Sequence, residues 1–215
     1  MPPARLRFWH PARMQQIDLG LPTPLDWEVA PPDWARDGIT GLSVSAPAQT
    51  DIFVDPAGGE PTLSAPRLLT PVPEGDFQFS ARVRVDFADT YDAGCLLLWS
   101  GPRHWAKLAY ERSPQGAGMV VSVITRDVSD DANGFVVDDG APLWLRISRL
   151  GPAWAFHAST DGAWWEFVRH FRLDPAATPL RFGLSAQSPI GAGCPVWFDR
   201  ISYTAGRLTE LRDGR

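Results

Sequence analysis

The sequence has 215 residues but a single lysine, Lys107, among its 20 basic residues, and only 2 cysteines and 4 histidines. No segment concentrates Lys and Arg densely enough to replace the counterions of a nucleic-acid backbone, and the net charge of −5 points the same way. A nucleic-acid partner is therefore excluded. No apolar run approaches the roughly 20 residues that a membrane-spanning helix needs, so no membrane partner is expected. The N-terminal stretch MPPARLRFWHPARMQQ lacks an apolar core and a small-residue cleavage site, which sets a cytoplasmic location as the expectation. Cys95 and Cys194 lie far apart with no CxxC spacing and no nearby histidine pair, and they read as buried free thiols, not zinc ligands. No metal and no cofactor is expected. The one oxygen-rich run, Ser129-Asp130-Asp131-Ala132-Asn133-Gly134, lacks EF-hand spacing and reads as a β-turn ahead of a calcium loop.

Helix-period stretches are also missing. In their place stand short runs of alternating apolar and polar residues, punctuated by Gly, Pro and Asp about every ten residues. Strands are expected at residues 76–87, 93–99, 105–111, 119–126, 143–149, 154–159, 164–171, 180–186 and 196–203, with one earlier strand at 39–45. These predict an all-β sandwich of two antiparallel sheets. Asp161-Gly162 reads as a tight hairpin turn, because such turns need positive φ, and Ser113-Pro-Gln-Gly116 as a second turn. Residues 25–203 form the domain, with residues 1–24 an N-terminal extension and 204–215 a tail, either a short helix or frayed.

Alternation assigns the faces. Phe77, Phe79, Val83 and Val85 share one side of their strand and Leu108 and Tyr110 one side of theirs; with Val123 they are the expected core, whereas Arg84 faces out. Trp105, Lys107, Ala109 and Glu111 share the opposite face of the 105–111 strand, and Arg181, Gly183, Ser185 and Gln187 share a face of theirs. A polar face recurs across strands, and it is either plain surface or the floor of a groove.

Catalytic chemistry finds little purchase. Glycoside hydrolysis needs two carboxyl groups about 5 to 10 Å apart, and the strand pattern Glu-x-Asp-x-Glu is absent. Glu111 and Glu166 are the two glutamates on expected strands, and Glu111 reads first as a same-face partner of Lys107. No histidine lies in a nucleophile context such as G-x-S-x-G. No catalytic residue is assigned. The aromatic excess, 10 Trp, is more suggestive, because exposed rings stack on sugars and Trp99 and Trp105 border the polar face.

The order Thr50-Asp51, GDFQFSARVRVDF, Tyr91-Asp92-Ala-Gly, Trp105-Ala-Lys-Leu-Ala-Tyr-Glu111, SVITRDVSDD and SPIGAG resembles the DUF1349 family of concanavalin A-like proteins. That family is related to the yeast regulation-of-enolase protein and similar to the C-terminal sandwich domain of certain β-xylosidases. The resemblance implies a lectin/glucanase-type jelly roll and leaves the activity undefined. It also adds Asp51 to the site. Family members commonly carry Thr-Asp-Phe-Trp where this chain reads Thr50-Asp51-Ile52-Phe53-Val54-Asp55-Pro56, followed by the Gly-rich AGGEPT insertion.

The leading expectation is a non-catalytic sandwich, monomeric or homodimeric, that binds a carbohydrate or sugar-like metabolite on its concave face. Trp105 or Trp99 would be the platform, and Lys107, Glu111, Arg126, Asp92 and Asp51 the hydrogen-bonding groups, with Lys107 foremost as a compact donor. The alternatives are an intracellular glycoside-active enzyme with a carboxyl pair drawn from different strands, such as Asp92 with Glu111, and a protein-interaction or regulatory module.

Overall fold

The computed structural model describes residues 16–137, 141–176 and 178–215. Its strands, in chain order, are β1 (Asp26–Val29), β2 (Trp34–Arg36), β3 (Leu42–Pro47), β4 (Ile52–Phe53), β5 (Thr62–Leu63), β6 (Arg67–Pro71), β7 (Phe77–Val85) and β8 (Ala93–Trp99). There follow β9 (His104–Arg112), β10 (Gly118–Arg126), β11 (Val128–Val137), β12 (Leu143–Leu150), β13 (Ala153–Ser159), β14 (Glu166–Arg172), β15 (Arg181–Gln187) and β16 (Gly193–Ala205). One sheet runs β1-β6-β15-β8-β9-β10-β11, the other β14-β13-β12-β7-β16-β3-β2, and β4 pairs with β5 alone. Every pairing is antiparallel and no helix occurs among the described residues, so the fold is the all-β sandwich of two sheets that the alternation predicts, in the jelly-roll form that the resemblance implies.

Parity decides the core. On β7 the residues Phe77, Phe79, Val83 and Val85 are buried against the facing sheet, where Phe79 meets Phe182 edge-on at 4.9 Å, while Arg84 is exposed. At Gly94 the two sheets approach closely, since a Cβ there would lie 2.5 Å from Val83 and 2.7 Å from Val196. The outward face of the first sheet is covered as well. Cys95, Leu97, Trp99, Trp105, Ala109, Val121 and Val123 form a second apolar cluster, roofed by Ile52, Val54, Leu63 and Ala65 from the β4–β5 hairpin. Val123 is therefore buried, but under the hairpin and not between the sheets.

Several segments differ from the sequence expectation, each for a physical reason. The run Asp130-Asp131-Ala132-Asn133-Gly134 is no turn and no calcium loop: it lies inside β11, so consecutive side chains alternate between faces and do not converge. The chain reverses instead at Asp127, with φ of 71°. β11 ends its sheet, and edge strands carry charge that discourages further pairing, which is why its sequence lacks a strand's apolar alternation. Trp164 and Trp165 precede β14 in the turn that begins at Asp161-Gly162 and joins β13 to β14.

The described part of each flank packs onto the sandwich. Residues 1–15 lie outside the described part, but Ile17, Leu19, Leu21 and Leu25 sit in the main core, and Ile17 and Leu25 exchange backbone hydrogen bonds of 2.8 and 2.9 Å. At the other end, residues 207–215 form turns across the outer face of β12 and β13. There Leu208 and Leu211 cover Leu150 and Ala155, Arg146 donates to the Gly214 carbonyl at 2.6 Å, and His157 lies 2.8 Å from the Leu211 carbonyl.

Candidate functional site

The hairpin roof stops short of one end of the sheet and leaves a groove of about 400 Å³. Its floor carries Lys107 and Glu111 from β9, Val121 and Val123 from β10, Asp131 from β11 and Gln187 from β15. Asp51 and Phe53 from the hairpin, Tyr91 from the loop before β8, and Pro189 and Ile190 after β15 make its rim.

Lys107 organises one wall. Its ammonium donates to Asp51 Oδ1 at 3.2 Å, to the Ile52 carbonyl at 2.9 Å and to Gln187 Oε1 at 2.9 Å, which engages all three of its protons. Because an ammonium can only donate, the Gln187 oxygen must face it and the Gln187 amide NH2 is turned elsewhere. Burial alone would lower the Lys107 pKa; attraction by Asp51 and Glu111, with the Asp51 hydrogen bond, outweighs it and holds the ammonium above its ordinary value. Lys107 is 3% exposed, so it braces the hairpin and is not the accessible donor its sequence context suggests.

Glu111 is the opposite case. Its side chain faces the groove, is 9% exposed, and has no hydrogen-bond or ion-pair partner among the described residues. Loss of hydration pushes its pKa from 4.5 to about 7, with Lys107 opposing and Asp51 and Asp131 reinforcing the shift. Asp131, exposed at the groove margin, is also raised, mainly by desolvation, with Lys107 opposing.

Tyr91 stands at the rim in a backbone conformation that bulky residues avoid, φ 69°, with its side chain exposed. The neighbouring Asp92 enforces it. The Asp92 carboxylate accepts from Ala88 N at 2.9 Å, Asp89 N at 2.8 Å and Ser188 Oγ at 2.6 Å, tying the Tyr91 loop to the segment bearing Gln187, Pro189 and Ile190. Tyr91 N in turn donates to the Arg112 carbonyl at 2.8 Å.

The structure thus brings Asp51, Lys107 and Glu111 into one groove and separates the other sequence candidates from it. Asp92 is fully buried and braces the rim from behind, so it forms no carboxyl pair with Glu111 in the groove. Trp105 and Trp99 are buried under the hairpin, where Trp105 lies 5.8 Å from the Lys107 nitrogen and Trp99 carries the Arg67 guanidinium at 4.3 Å. Neither offers a platform. Arg126 lies at the far end of β10 and donates to the Arg172 carbonyl at 2.8 Å. The aromatic rim is instead Tyr91 and Phe53, which alternation cannot find because both lie where local strand pairing is short or absent. Signals for Tyr91, Phe53 and Gln187 did exist: they lie in the Tyr91-Asp92 motif, in the Thr50–Phe53 segment, and on the polar face of β15.

The sandwich is similar to a functionally unknown protein from Saccharomyces cerevisiae, with a TM-score of 0.76 and 22% identity over 85% of this chain and 96% of that one. It is also similar to the GH43 protein BlXynB from Bacillus licheniformis, with a TM-score of 0.67 and 12% identity over 95% of this chain, which spans 41% of that longer protein. A third similar structure is the carbohydrate binding module CBM66 from Bacillus subtilis, with a TM-score of 0.53 and 13% identity over 83% of this chain and 95% of that one. At these identities the likeness is one of fold. No curated protein matches the sequence. Residues 27–206, nearly the whole sandwich, match the protein of unknown function family DUF1349, and the chain belongs to that family.

Proposed function

We propose that the groove is a carbohydrate-binding site. The observation that carries this reading is the pairing of an unpartnered, largely buried Glu111 carboxyl on the floor with a strained, exposed Tyr91 on the rim. The Glu111 carboxyl reaches water only through the groove and is held there at a desolvation cost that no hydrogen bond offsets, and a residue held at positive φ costs about 1 to 3 kcal/mol. Folding recovers neither cost. A ligand that offers hydroxyl donors to Glu111 and an apolar ring face to Tyr91 and Phe53 recovers the first and uses the second. The dimensions agree, since a volume of about 400 Å³ lies within the range of small-ligand pockets. The carbohydrate binding module of similar fold supports the same reading.

Calorimetric titration with a panel of short neutral oligosaccharides tests it. Binding that is weakened about tenfold or more by Tyr91→Ala supports the site. Undiminished binding in Tyr91→Ala places the sugar elsewhere. One observation favours a second reading, hydrolysis: a carboxyl with a pKa of about 7, as in Glu111, has the protonation of a general acid. Turnover of chromogenic glycosides that Glu111→Gln abolishes would support it.

A further inference from the structure

Resting on the carbohydrate reading, we propose that the groove selects sugars bearing a protonated amine and rejects phosphorylated or carboxylated ones. The groove is lined by three carboxyl side chains, Asp51, Glu111 and Asp131, and by one cation, Lys107. That cation has no proton left to donate, because Asp51, the Ile52 carbonyl and Gln187 take all three. A phosphate or carboxylate entering the groove would meet no free cationic donor, only neutral ones such as the Gln187 amide and the Tyr91 hydroxyl, and would face surplus negative charge.

The unmet need is of the opposite sign. Glu111 is nine-tenths buried, faces the groove and lacks any partner, while its neighbours across the groove are themselves carboxyls. A neutral hydroxyl would give Glu111 one hydrogen bond. An ammonium gives it a charge-assisted bond, roughly twice as strong as a neutral one, and offsets the surplus charge shared with Asp51 and Asp131. The Tyr91 and Phe53 rings at the rim provide the surface on which the rest of the sugar rests, and cations are attracted to such faces as well.

The test is a titration of the full chain, followed by amide NMR in low-salt buffer near pH 7, where Glu111 is partly ionised and an amino sugar is still largely protonated, with glucosamine, glucose, N-acetylglucosamine, glucuronate and the sugar-free amine spermidine. The expected result is glucosamine binding about tenfold more tightly than glucose or N-acetylglucosamine, with glucuronate weakest. Glu111→Gln should bring glucosamine and glucose to within about twofold of each other, and Asp131→Asn, an exposed change that leaves the fold intact, should narrow the gap in part. Glucose binding as tightly as glucosamine overturns the amine preference and leaves the carbohydrate reading standing. Spermidine binding as tightly as glucosamine does the reverse, leaving a cation site that does not recognise sugar. Glucuronate binding most tightly overturns the charge assignment, and a panel in which nothing binds overturns both readings.

Discussion

The Lys107 ammonium donates to Gln187 Oε1 at 2.9 Å, reaching past β8, which lies between their two strands. The same nitrogen holds Asp51 and the Ile52 carbonyl of the β4–β5 hairpin. One side chain therefore pins the roof of the outer cluster to the floor beneath it. Lys107→Ala should cost about 3 kcal/mol, because it leaves Asp51 and Gln187 without their shared donor in a mostly buried setting. Lys107→Arg should fail to rescue it, as a planar fork cannot present three converging donors from one atom. Denaturant unfolding checks this, and a loss below about 0.5 kcal/mol for Lys107→Ala would place the lysine among ordinary surface residues.

Glu111 makes the fold less stable as pH rises. Its folded-state pKa of about 7 lies above the ordinary 4.5, so the folded state binds more protons between those values. The favourable contribution is fully present below about pH 4.5 and is lost as pH rises through about 7, at a cost of about 3 kcal/mol by pH 8. Glu111→Gln should match the wild type near pH 4 and exceed it at pH 8. Parallel stability curves for the two proteins would sink the assignment.

His157 acts with the opposite sign. It is fully buried on the outer face of β13, and burial lowers its pKa from 6.5 to about 4, with the Leu211 carbonyl opposing and Arg146 reinforcing the shift. The unfolded state then binds more protons between about pH 4 and 6.5, so its contribution is present above the upper value and declines by about 3 kcal/mol as pH falls to the lower. In the wild type the slopes from Glu111 and His157 oppose between about pH 4.5 and 6.5 and leave stability nearly level. His157→Gln should expose the falling slope of Glu111 alone; a variant curve as level as the parent's would contradict this.

Gly214 lies against Arg146, Trp165 and His157, where an added Cβ would stand 2.1 Å from the Arg146 guanidinium and 2.9 Å from Trp165 Cβ, and its φ is 69°. Gly214→Ala should therefore lift residues 207–215 from the sheet. The readout is the His157 titration by NMR, whose midpoint should climb from about 4 toward 6.5 as water reaches the ring. An unmoved midpoint would show that the segment stays seated.

Tyr91 separates binding from stability. Tyr91→Gly relieves the cost of its positive φ, against a gain in unfolded-chain entropy of about 1 kcal/mol, so thermal stability should change little. Sugar affinity should nonetheless fall as in Tyr91→Ala. A marked loss of stability in Tyr91→Gly would make the tyrosine a packing residue of the rim.

The sequence by itself determined the architecture, because strand alternation is local: the parity of Phe77, Phe79, Val83 and Val85 against Arg84 dictates which side of β7 meets the other sheet. It also put Lys107 and Glu111 on one face of β9, and the family motifs drew in Asp51. Tertiary structure decided what that face became. No local rule shows that the β4–β5 hairpin folds back over Trp99, Trp105 and Lys107, turning the expected sugar platform and donor into a second core and its brace. Nor does any local rule place Tyr91 and Phe53 beside Glu111, since one arrives from a loop and the other from the β4–β5 hairpin, whose paths depend on the Asp92–Ser188 bond and on packing between residues far apart in the chain. Strand periodicity reports which side a residue faces, whereas access to that side depends on what the rest of the chain lays over it.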